Sequence, residues 1–330
     1  MNALALFSGG LDSMLATKII ADMGINVTAL HIDIGFGNKK NINETLQKRA
    51  LQASASFLSI DAREEYIQKI LFDPLYGYGK NFNPCIDCHG YMFRIAKAMM
   101  DEFDASFIVT GEVLGQRPMS QRGKAMKLVN KLANDTEEKL ILRPLSAKLM
   151  ARTTPEINGW VDREKLFGIS GRSRDIQIKL AKQYNWEDYE SPGGGCLLTD
   201  IHYSQRIREH IAHDNFSVED IELLKFGRHF RLTDGAKLIV GRSQEDNASL
   251  KKIKSDKYVS FNTPIFGPLA LLSKNASPQD KALAAKIVIT YTKSTQGEIY
   301  DICIDDEIYK VSPFESKNSL QKYFFDSKLS

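Results

Sequence analysis

The feature that most constrains the fold of this chain is a glycine-rich loop close to its N-terminus. A short apolar run at residues 3–7 is followed by Ser-Gly-Gly-Leu-Asp-Ser at residues 8–13. Beyond the loop, apolar side chains recur at helical spacing as far as residue 23. A strand that turns through glycines into a helix directs backbone N–H groups and the positive end of the helix dipole toward one point. The loop therefore predicts a phosphate site in the first unit of an α/β fold.

The composition of this loop narrows the class of nucleotide site. It lacks the lysine of the G-x-x-x-x-G-K-[ST] loop of kinase-like ATPases, and it lacks the G-x-G-x-x-G spacing of nicotinamide-binding folds. Ser8 and Ser13 supply hydroxyl donors. An aspartate at position 12 beside a phosphate requires a bridging cation, and Mg²⁺ is the simplest choice. The alternative interpretation is an ordinary β-to-α turn with a capping serine or aspartate.

Apolar runs and amphipathic stretches alternate along the first 120 residues. The predicted strands that follow the first one are at residues 27–34, 57–61 and 107–111, and the predicted helices are at 12–23, 42–54 and 91–103. This order predicts an α/β domain whose parallel sheet is covered by helices on both faces. The basic segment at residues 144–183 is also predicted to be helical.

A Ser-Pro-Gly-Gly-Gly sequence at residues 191–195 is the clearest break in the chain. It predicts a first domain at residues 1–190 and a connecting segment at 191–225, which carries Cys196 and two helices. A smaller α+β domain is predicted at residues 226–330. Its predicted strands are at residues 237–241, 258–261, 284–291 and 299–304.

The composition is that of a folded, water-soluble chain, with 43% hydrophobic and 26% charged residues. The formal net charge is only +3, so a nucleic-acid partner would be held by local patches rather than by a global field. No apolar run approaches the roughly 20 residues that span a bilayer. The first residues also lack the basic region of a signal peptide. We therefore expect a cytoplasmic protein without a membrane partner.

Three of the four cysteines form a pattern. Cys85 and Cys88 lie in Asn-Pro-Cys-Ile-Asp-Cys-His at residues 83–89, and Cys196 follows the glycine-rich break. The motif is formally that of c-type haem attachment, but the chain has no recognisable export signal. The other interpretations are a zinc site completed by His89 or His202, a redox dithiol, and an iron–sulfur cluster with one iron free of protein ligands. The fourth cysteine, at position 303, is predicted to be a buried small hydrophobe.

The loop at residues 8–13 resembles the pyrophosphate loop (PP-loop) of N-type ATP pyrophosphatases, which have the HUP-type fold of the adenine nucleotide alpha hydrolases. Further segments, at residues 110–116, 142–145 and 194–200, resemble those of tRNA 4-thiouridine synthetases (ThiI-like) and their 2-thiouridylase relatives (MnmA-like). The resemblance implies cleavage of ATP to AMP and pyrophosphate, with Asp12 orienting Mg²⁺. The implied nucleotide contacts are Ser8, Gly9, Gly10, Asp12, Ser13, His31, Gly111, Glu112 and Gln116.

The resemblance also bears on the cysteines. Iron–sulfur-dependent RNA thiolases carry a C-x-x-C and a distant third cysteine, whereas cluster-free members carry sulfur as a cysteine persulfide. We favour a 4Fe–4S cluster on Cys85, Cys88 and Cys196 that presents sulfide to an activated base. A persulfide relay between Cys85 and Cys196 is the alternative. The expected sulfur donor is sulfide or a cysteine desulfurase.

A basic and aromatic run at residues 225–242 is the candidate RNA contact. It resembles the small RNA-binding domain of ribosome quality-control (NFACT) proteins, and arginines can pair with phosphates and stack on bases. We expect it to replace the N-terminal RNA-binding extension of the 4-thiouridine synthetases, which does not precede the loop here. A second basic run lies next to residues 110–116, which resemble the second nucleotide-binding segment of these synthetases and are called the nucleotide segment below. The candidate RNA-binding residues are Arg117, Arg122, Lys124, Arg228, Arg231 and Arg242. A solvated basic face is the alternative in each case.

These observations predict an ATP-dependent tRNA sulfurtransferase with catalytic roles for Asp12, Cys85, Cys88 and Cys196. It would adenylate a uridine carbonyl oxygen and replace that oxygen with sulfur. Two other functions remain open: a PP-loop ligase that acts on a small molecule, and a non-enzymatic RNA-binding module whose cysteines hold structural zinc. A homodimer is compatible with each of these.

Overall fold

The computed structural model describes residues 1–37, 42–190, 195–253 and 255–325. These residues divide into two compact units, Met1–Thr199 and Asp200–Ser330. Most of the predicted break, residues 191–194, lies outside the described residues. Among the described helices, none has both the length and the apolar character needed to cross a membrane.

The first unit is built on a five-stranded sheet with the order β3-β2-β1-β4-β5. Its strands are β1 (Asn2–Leu6), β2 (Asn26–Asp33), β3 (Ser56–Asp61), β4 (Ala105–Thr110) and β5 (Ile141–Leu142), and every pairing is parallel. The helices are α1 (Leu11–Ala21), α2 (Ile42–Gln52), α3 (Arg63–Tyr66), α4 (Cys85–Ala98), α5 (Gly123–Leu132), α6 (Thr154–Ile157) and α7 (Asp175–Gln183). The predicted α/β class is confirmed.

Strand β1 lies at the centre of this sheet because its residues are apolar on both faces. Ala3, Leu4 and Ala5 are all at most 1% exposed, as expected for a parallel strand covered by helices on both sides. The chain leaves β1 toward β2 on one side and returns to β4 on the other. This reversal creates the crevice at the carboxyl ends of β1 and β4 in which open α/β sheets bind ligands.

Two local predictions in this unit are wrong. Helix α4 begins at Cys85, six residues before the predicted start, because Pro84 occupies the N-cap position. The C-x-x-C motif therefore lies in the first turn of a helix. The segment at 144–183 is broken into short helices, since Gly159 and Gly171 adopt left-handed backbone conformations with φ of +69° and +85°.

The second unit contains a six-stranded sheet with the order β11-β10-β8-β9-β7-β6 and antiparallel pairings. Its strands are β6 (Arg228–Arg231), β7 (Lys237–Val240), β8 (Tyr258–Asn262), β9 (Ala270–Ser273), β10 (Tyr300–Ile304) and β11 (Glu307–Val311). The helices are α8 (Ile201–His213), α9 (Val218–Leu223), α10 (Gln244–Leu250) and α11 (Pro278–Thr290).

The strand predicted at residues 284–291 is instead the C-terminal half of α11, so that prediction is wrong. Ser277 caps this helix by accepting a hydrogen bond from the backbone N–H of Asp280, and Pro278 occupies the first helical position. Ala284, Ile287 and Val288 are fully buried. A helix that is apolar on most sides gives no clear period, which explains why its second half looks like a strand.

Candidate active site

The loop at residues 8–13, called the phosphate loop below, has the backbone geometry that its sequence predicts. Gly9 has a φ of +70°, and Gly10 is the N-cap residue of α1. The Ser13 hydroxyl donates to the carbonyl oxygen of Gly10 at 2.8 Å and lies 3.3 Å from the Ser8 hydroxyl. The loop therefore gathers two hydroxyl groups and the first N–H groups of a helix, a combination suited to phosphate oxygens.

Gly9 is required by packing as well as by conformation. A Cβ atom at this position would lie 2.2 Å from Cδ2 of Leu46 on α2. Beside it, the buried Arg49 donates to the Gly9 carbonyl oxygen at 3.0 Å and to Asp188 Oδ1 at 2.8 Å. Arg49 thus links the loop at Gly9 to Asp188. Arg49 lies in none of the sequence motifs, and the only sequence signal for it is an arginine within the apolar face of α2.

Asp12 lies in the first turn of α1 and is held by two side chains. Gln116 Nε2 donates to Asp12 Oδ2 at 2.7 Å, and an Arg174 Nη atom lies 3.4 Å from the same oxygen. The other carboxylate oxygen, Oδ1, is buried and has no hydrogen-bond partner among the described residues. Mg²⁺ is commonly held by one or two carboxylates together with substrate phosphates. A free oxygen beside the phosphate loop fits such an ion, and Asp12 would hold it.

The nucleotide segment after β4 approaches this loop at a glycine. A Cβ atom on Gly111 would lie 2.4 Å from the backbone nitrogen of Ser13 and 2.6 Å from the carbonyl oxygen of Asp12. The segment can reach the start of α1 only because residue 111 has no side chain. This close approach puts Gly111 beside the predicted phosphate loop, and its contact with a nucleotide stays a prediction.

Glu112, the next residue, is 4% exposed and is enclosed by two basic side chains. It accepts a hydrogen bond from Arg143 Nε at 2.9 Å, and its other oxygen lies 2.7 Å from His89 Nδ1. Burial opposes the charged form, but Arg143 and His89 hold the pKa of Glu112 below its usual value. These contacts anchor the nucleotide segment to α4 and β5. A direct nucleotide contact by Glu112 stays a prediction.

His31 lies near the carboxyl end of β2. Its Nδ1 atom is 3.2 Å from the carbonyl oxygen of Phe7, which can only accept a hydrogen bond. Burial lowers the pKa of His31, so the neutral ring with the proton on Nδ1 satisfies this contact. The predicted role of His31 at the adenosine end of the nucleotide is not tested by this geometry.

The three cysteines come together at the same edge of the sheet. Cys85 and Cys88 lie in the first turn of α4, and Cys196 forms an antiparallel bridge with Gly37, just beyond β2. The backbone N–H of Leu197 donates to the Phe36 carbonyl at 2.9 Å, and Leu198 O accepts from Phe82 N–H at 3.2 Å. Residues 196–199 are therefore held between the end of β2 and the chain that leads into α4.

The thiols influence one another. Burial, followed by the charge of Cys196, raises the pKa of Cys88 well above its usual value. Burial raises the pKa of Cys196 to about 11. Burial also raises the pKa of Cys85, but the Asn83 amide, 3.1 Å from its sulfur, and the charge of Arg117 oppose that shift. In all three cysteines, burial therefore favours the neutral thiol.

The three thiols of Cys85, Cys88 and Cys196, called the thiol group below, are soft donors of the kind that hold zinc or an iron–sulfur cluster. Among the residues that the structure describes, no three His, Cys, Asp or Glu side chains are close enough together to hold a metal ion. A structural zinc would need four ligands within about 2.3 Å of one atom. A 4Fe–4S cluster with one open iron takes three cysteine thiolates, so the number and type of donors suit such a cluster, and the cluster itself stays a prediction. A persulfide on one of them needs no metal geometry.

One loop connects the thiol group with the phosphate loop. Gln116 binds Asp12, and the charge of the adjacent Arg117 acts on Cys85. The same loop carries Met119, whose sulfur is 3.6 Å from Asn83 Nδ2, the amide that also contacts Cys85. The loop closes on itself through the backbone N–H of Gly115, which donates to Gln121 O at 2.6 Å. The phosphate loop and the thiol group are thus both close to one short segment, residues 115–121.

The candidate RNA-binding residues fall into two environments. Those of the first unit, Arg117, Arg122 and Lys124, are exposed. In the second unit, Arg228 lies with its guanidinium 4.8 Å from the centre of the Tyr291 ring, and Arg242 pairs with Asp246 at 2.9 Å while staying 45% exposed. Arg231 differs, because Glu209 and Asp214 both accept from its guanidinium and its side chain is 13% exposed. Arg231 therefore forms ion pairs within this unit, and its contact with RNA stays a prediction.

Two family models match separate stretches of the chain, one within each of the two compact units. Residues 1–151 match the model of the family described as thiamine biosynthesis protein (ThiI), and residues 227–324 match the NFACT protein RNA binding domain. A probable tRNA sulfurtransferase of Ureaplasma urealyticum serovar 10 is 30% identical over 156 residues, which are 43% of this chain and 36% of that protein. A second one, from Thermococcus kodakarensis, is 31% identical over 118 residues, which are 34% and 30% of the two chains.

The chain thus matches about a third of the length of these curated relatives. Among solved structures, a 4-thiouridine synthetase–RNA complex with bound ATP aligns with a TM-score of 0.37 and 18% identity, over 56% of this chain and 50% of that one. The two family matches confirm both resemblances that the sequence motifs indicated. The chain therefore joins a ThiI-like domain of the PP-loop superfamily to a C-terminal domain of the NFACT type.

Proposed function

We propose that this chain is an ATP-dependent tRNA sulfurtransferase that adenylates a uridine carbonyl oxygen and replaces it with sulfur. The observation that carries the proposal is the loop at residues 115–121, which contacts Asp12 of the phosphate loop through Gln116 and lies beside Cys85. A thiolation needs the activated carbon and the sulfur at one place, because the adenylated base is open to hydrolysis. The curated relatives named tRNA sulfurtransferases support the same reaction.

The first step activates the base. The uridine carbonyl oxygen attacks the α-phosphorus of ATP, and the bond to the bridging oxygen breaks as pyrophosphate leaves. Ser8, Gly9, Gly10 and Ser13 would hold the departing phosphates, since their donors meet at the start of α1. Asp12 would hold Mg²⁺, which neutralises the charge on these oxygens. Arg174, now 3.4 Å from Asp12, is a further cation within reach of the phosphates.

The second step forms the carbon–sulfur bond. Sulfur attacks the adenylated carbon, AMP leaves with the original oxygen, and the base becomes a thiocarbonyl. A 4Fe–4S cluster on Cys85, Cys88 and Cys196 would supply sulfur at the oxidation level of sulfide, so no reductant is needed. If Cys196 instead carries a persulfide, Cys85 must attack the Cys196 sulfur to release the thiolated base. That route leaves a disulfide, which an external thiol must reduce.

The substrate is proposed to be tRNA rather than a small molecule. Arg117, Arg122 and Lys124 are exposed on the loop beside the thiol group and at the start of α5. The family match of residues 227–324 adds a domain of an RNA-binding type. Together they would hold phosphates of a folded RNA by local positive charge, which suits a chain with a net charge of only +3.

Reconstitution with purified full-length chain tests this proposal. The protein is incubated with unmodified tRNA, Mg·ATP, a thiol reductant and cysteine plus a cysteine desulfurase, and pyrophosphate and thionucleosides are measured. We expect both products, loss of both in Asp12→Asn, and loss of the thionucleoside alone in Cys196→Ser. Cys303→Ser, in the second unit, is the matched control and should behave as wild type.

Two results would contradict the proposal. Pyrophosphate release that does not require RNA would favour a ligase for a small molecule. RNA binding without pyrophosphate release would favour a non-enzymatic RNA-binding module.

A further inference from the structure

A buried tyrosine faces the thiol group, and the sulfur of Cys88 is the group that its hydroxyl approaches. Tyr66 ends α3 and is 0% exposed. Its hydroxyl is buried, and no hydrogen-bond partner of normal geometry exists for it among the described residues. Leaving a buried hydroxyl unpaired costs about 1–3 kcal/mol. Such a group calls for an explanation, and an absent polar ligand is one.

Two ring contacts fix where this hydroxyl lies. The Tyr66 ring centre is 6.0 Å from that of Phe36, whose backbone carbonyl holds the segment after Cys196. It is 5.9 Å from the ring centre of Tyr91, one turn beyond Cys88 on α4. Tyr66 is therefore held between the two elements that carry the thiols. A ring packed on both sides has little freedom to turn its hydroxyl elsewhere.

The electrostatic surroundings of the hydroxyl agree with this placement. Burial raises the pKa of Tyr66 well above its usual value, and the charge of Cys88, a hydrogen bond to Cys88, and the charges of Cys196 and Cys85 act on it in the same direction. All three cysteines are therefore within electrostatic range of one phenol oxygen. A protonated phenol can donate one hydrogen bond, and sulfur that carries negative charge is a suitable acceptor.

We propose that the Tyr66 hydroxyl is a positioning group, which donates a hydrogen bond to the sulfur atom carried at the Cys85, Cys88 and Cys196 centre. This inference rests on the proposed sulfurtransferase function and adds a residue that the sequence motifs did not include. The donor retains the loaded sulfur and orients it toward the activated carbon. It takes no part in adenylation, because its surroundings are the thiols rather than the phosphate loop.

Tyr66→Phe removes this donor and keeps the ring. The full chain is loaded with radiolabelled sulfur from cysteine by a cysteine desulfurase, and the half-life of the bound label is measured in the presence of a thiol. We expect the half-life to fall about tenfold, the effect of losing one hydrogen bond to a charged group. The rate of thionucleoside formation should fall similarly, while RNA-dependent pyrophosphate release stays at the wild-type rate.

Tyr91→Phe is the matched control, because it removes another buried hydroxyl from the same aromatic cluster. After burial, Glu65 has a larger effect on the pKa of Tyr91 than Cys88 has, whereas all three cysteines act on the pKa of Tyr66. Tyr91→Phe should therefore retain the label as wild type does. Urea unfolding adds a second readout, since removing a hydroxyl that makes no hydrogen bond of normal geometry among the described residues should leave Tyr66→Phe at least as stable as wild type.

The outcomes separate this inference from the proposed function. If the wild-type chain neither retains sulfur nor releases pyrophosphate with RNA, the sulfurtransferase proposal itself fails, and the role of Tyr66 fails with it. If the wild type does both and Tyr66→Phe retains the label equally well, only the role of Tyr66 is overturned. A Tyr66→Phe chain that unfolds at clearly lower urea than wild type would also overturn it, because the hydroxyl would then be a structural partner.

Discussion

Replacing Gly111 with alanine tests the contact between the nucleotide segment and the phosphate loop. The added Cβ would lie 2.4 Å from a backbone nitrogen and 2.5 Å from a backbone carbon of residues 12 and 13. Backbone atoms at the start of a helix cannot rotate away as a side chain does, so β4 and α1 must separate. Overpacking of this kind costs about 1–3 kcal/mol, and we expect the upper end, roughly 3 kcal/mol.

Gly123→Ala is the matched control for this substitution. Gly123 begins α5, and a Cβ there meets nothing within 4 Å. Alanine favours the helix, so we expect a gain of roughly 0.5 kcal/mol. Both tryptophans, Trp160 and Trp186, lie in the first unit, so their fluorescence during urea unfolding reports on that unit within the full chain.

The expected shifts of the urea midpoint are large enough to distinguish the two variants. With a urea dependence of about 2 kcal/mol per molar, Gly111→Ala should lower the midpoint by about 1.5 M, and Gly123→Ala should raise it slightly. Binding of Mg·ATP should weaken only in Gly111→Ala. Equal midpoints for the two variants would refute the close approach of residue 111 to the phosphate loop, and with it the argument for a glycine at this position.

Three further predictions follow from charges and thiols. Glu112→Gln leaves the buried Arg143 without its carboxylate and should cost about 3 kcal/mol in urea unfolding at neutral pH. Because the pKa of Glu112 is lowered in the folded chain, its contribution exists above the usual carboxyl pKa and is lost as the pH falls through the folded value, so the two midpoints should converge in acid. Iodoacetamide should alkylate Cys196 about a hundredfold more slowly in the native chain than in urea at pH 8, since burial raises its pKa to about 11 from 9.0; equal rates would contradict this. Arg228→Met should reduce the salt dependence of RNA binding by about one phosphate contact, whereas Arg231→Met should mainly destabilise the second unit; a reversed pattern would show that the two arginines were assigned wrongly.

The sequence was sufficient where a local pattern determines the outcome. The strand, glycines and helix around residues 8–13 predict their own geometry, because the conformation of Gly9 and the cap at Gly10 depend on neighbouring residues. The parallel sheet followed in the same way from alternating apolar and amphipathic segments. Helix α11 was missed in its second half, because a helix buried on most sides has no polar face to reveal its period.

The other features of the candidate site depend on contacts between residues that are far apart in the chain. Arg49 and Arg174 reach the phosphate loop from α2 and from the N-cap of α7, and neither lies in a motif. Glu112 is part of a recognisable segment, but only the structure shows that Arg143 and His89 enclose it. The position of Tyr66 among the thiols is likewise a property of packing, for which no sequence signal exists.

Mass spectrometry of tRNA nucleosides tests the central claim most directly. Bulk tRNA is compared between a wild-type strain, a deletion strain, and deletion strains complemented with the wild-type gene, Cys196→Ser or Cys303→Ser. We expect one thionucleoside to vanish on deletion and to return with wild type and Cys303→Ser but not with Cys196→Ser. If every thionucleoside persists in the deletion strain, or if Cys196→Ser restores the missing one, thiolation through the three-cysteine centre is contradicted.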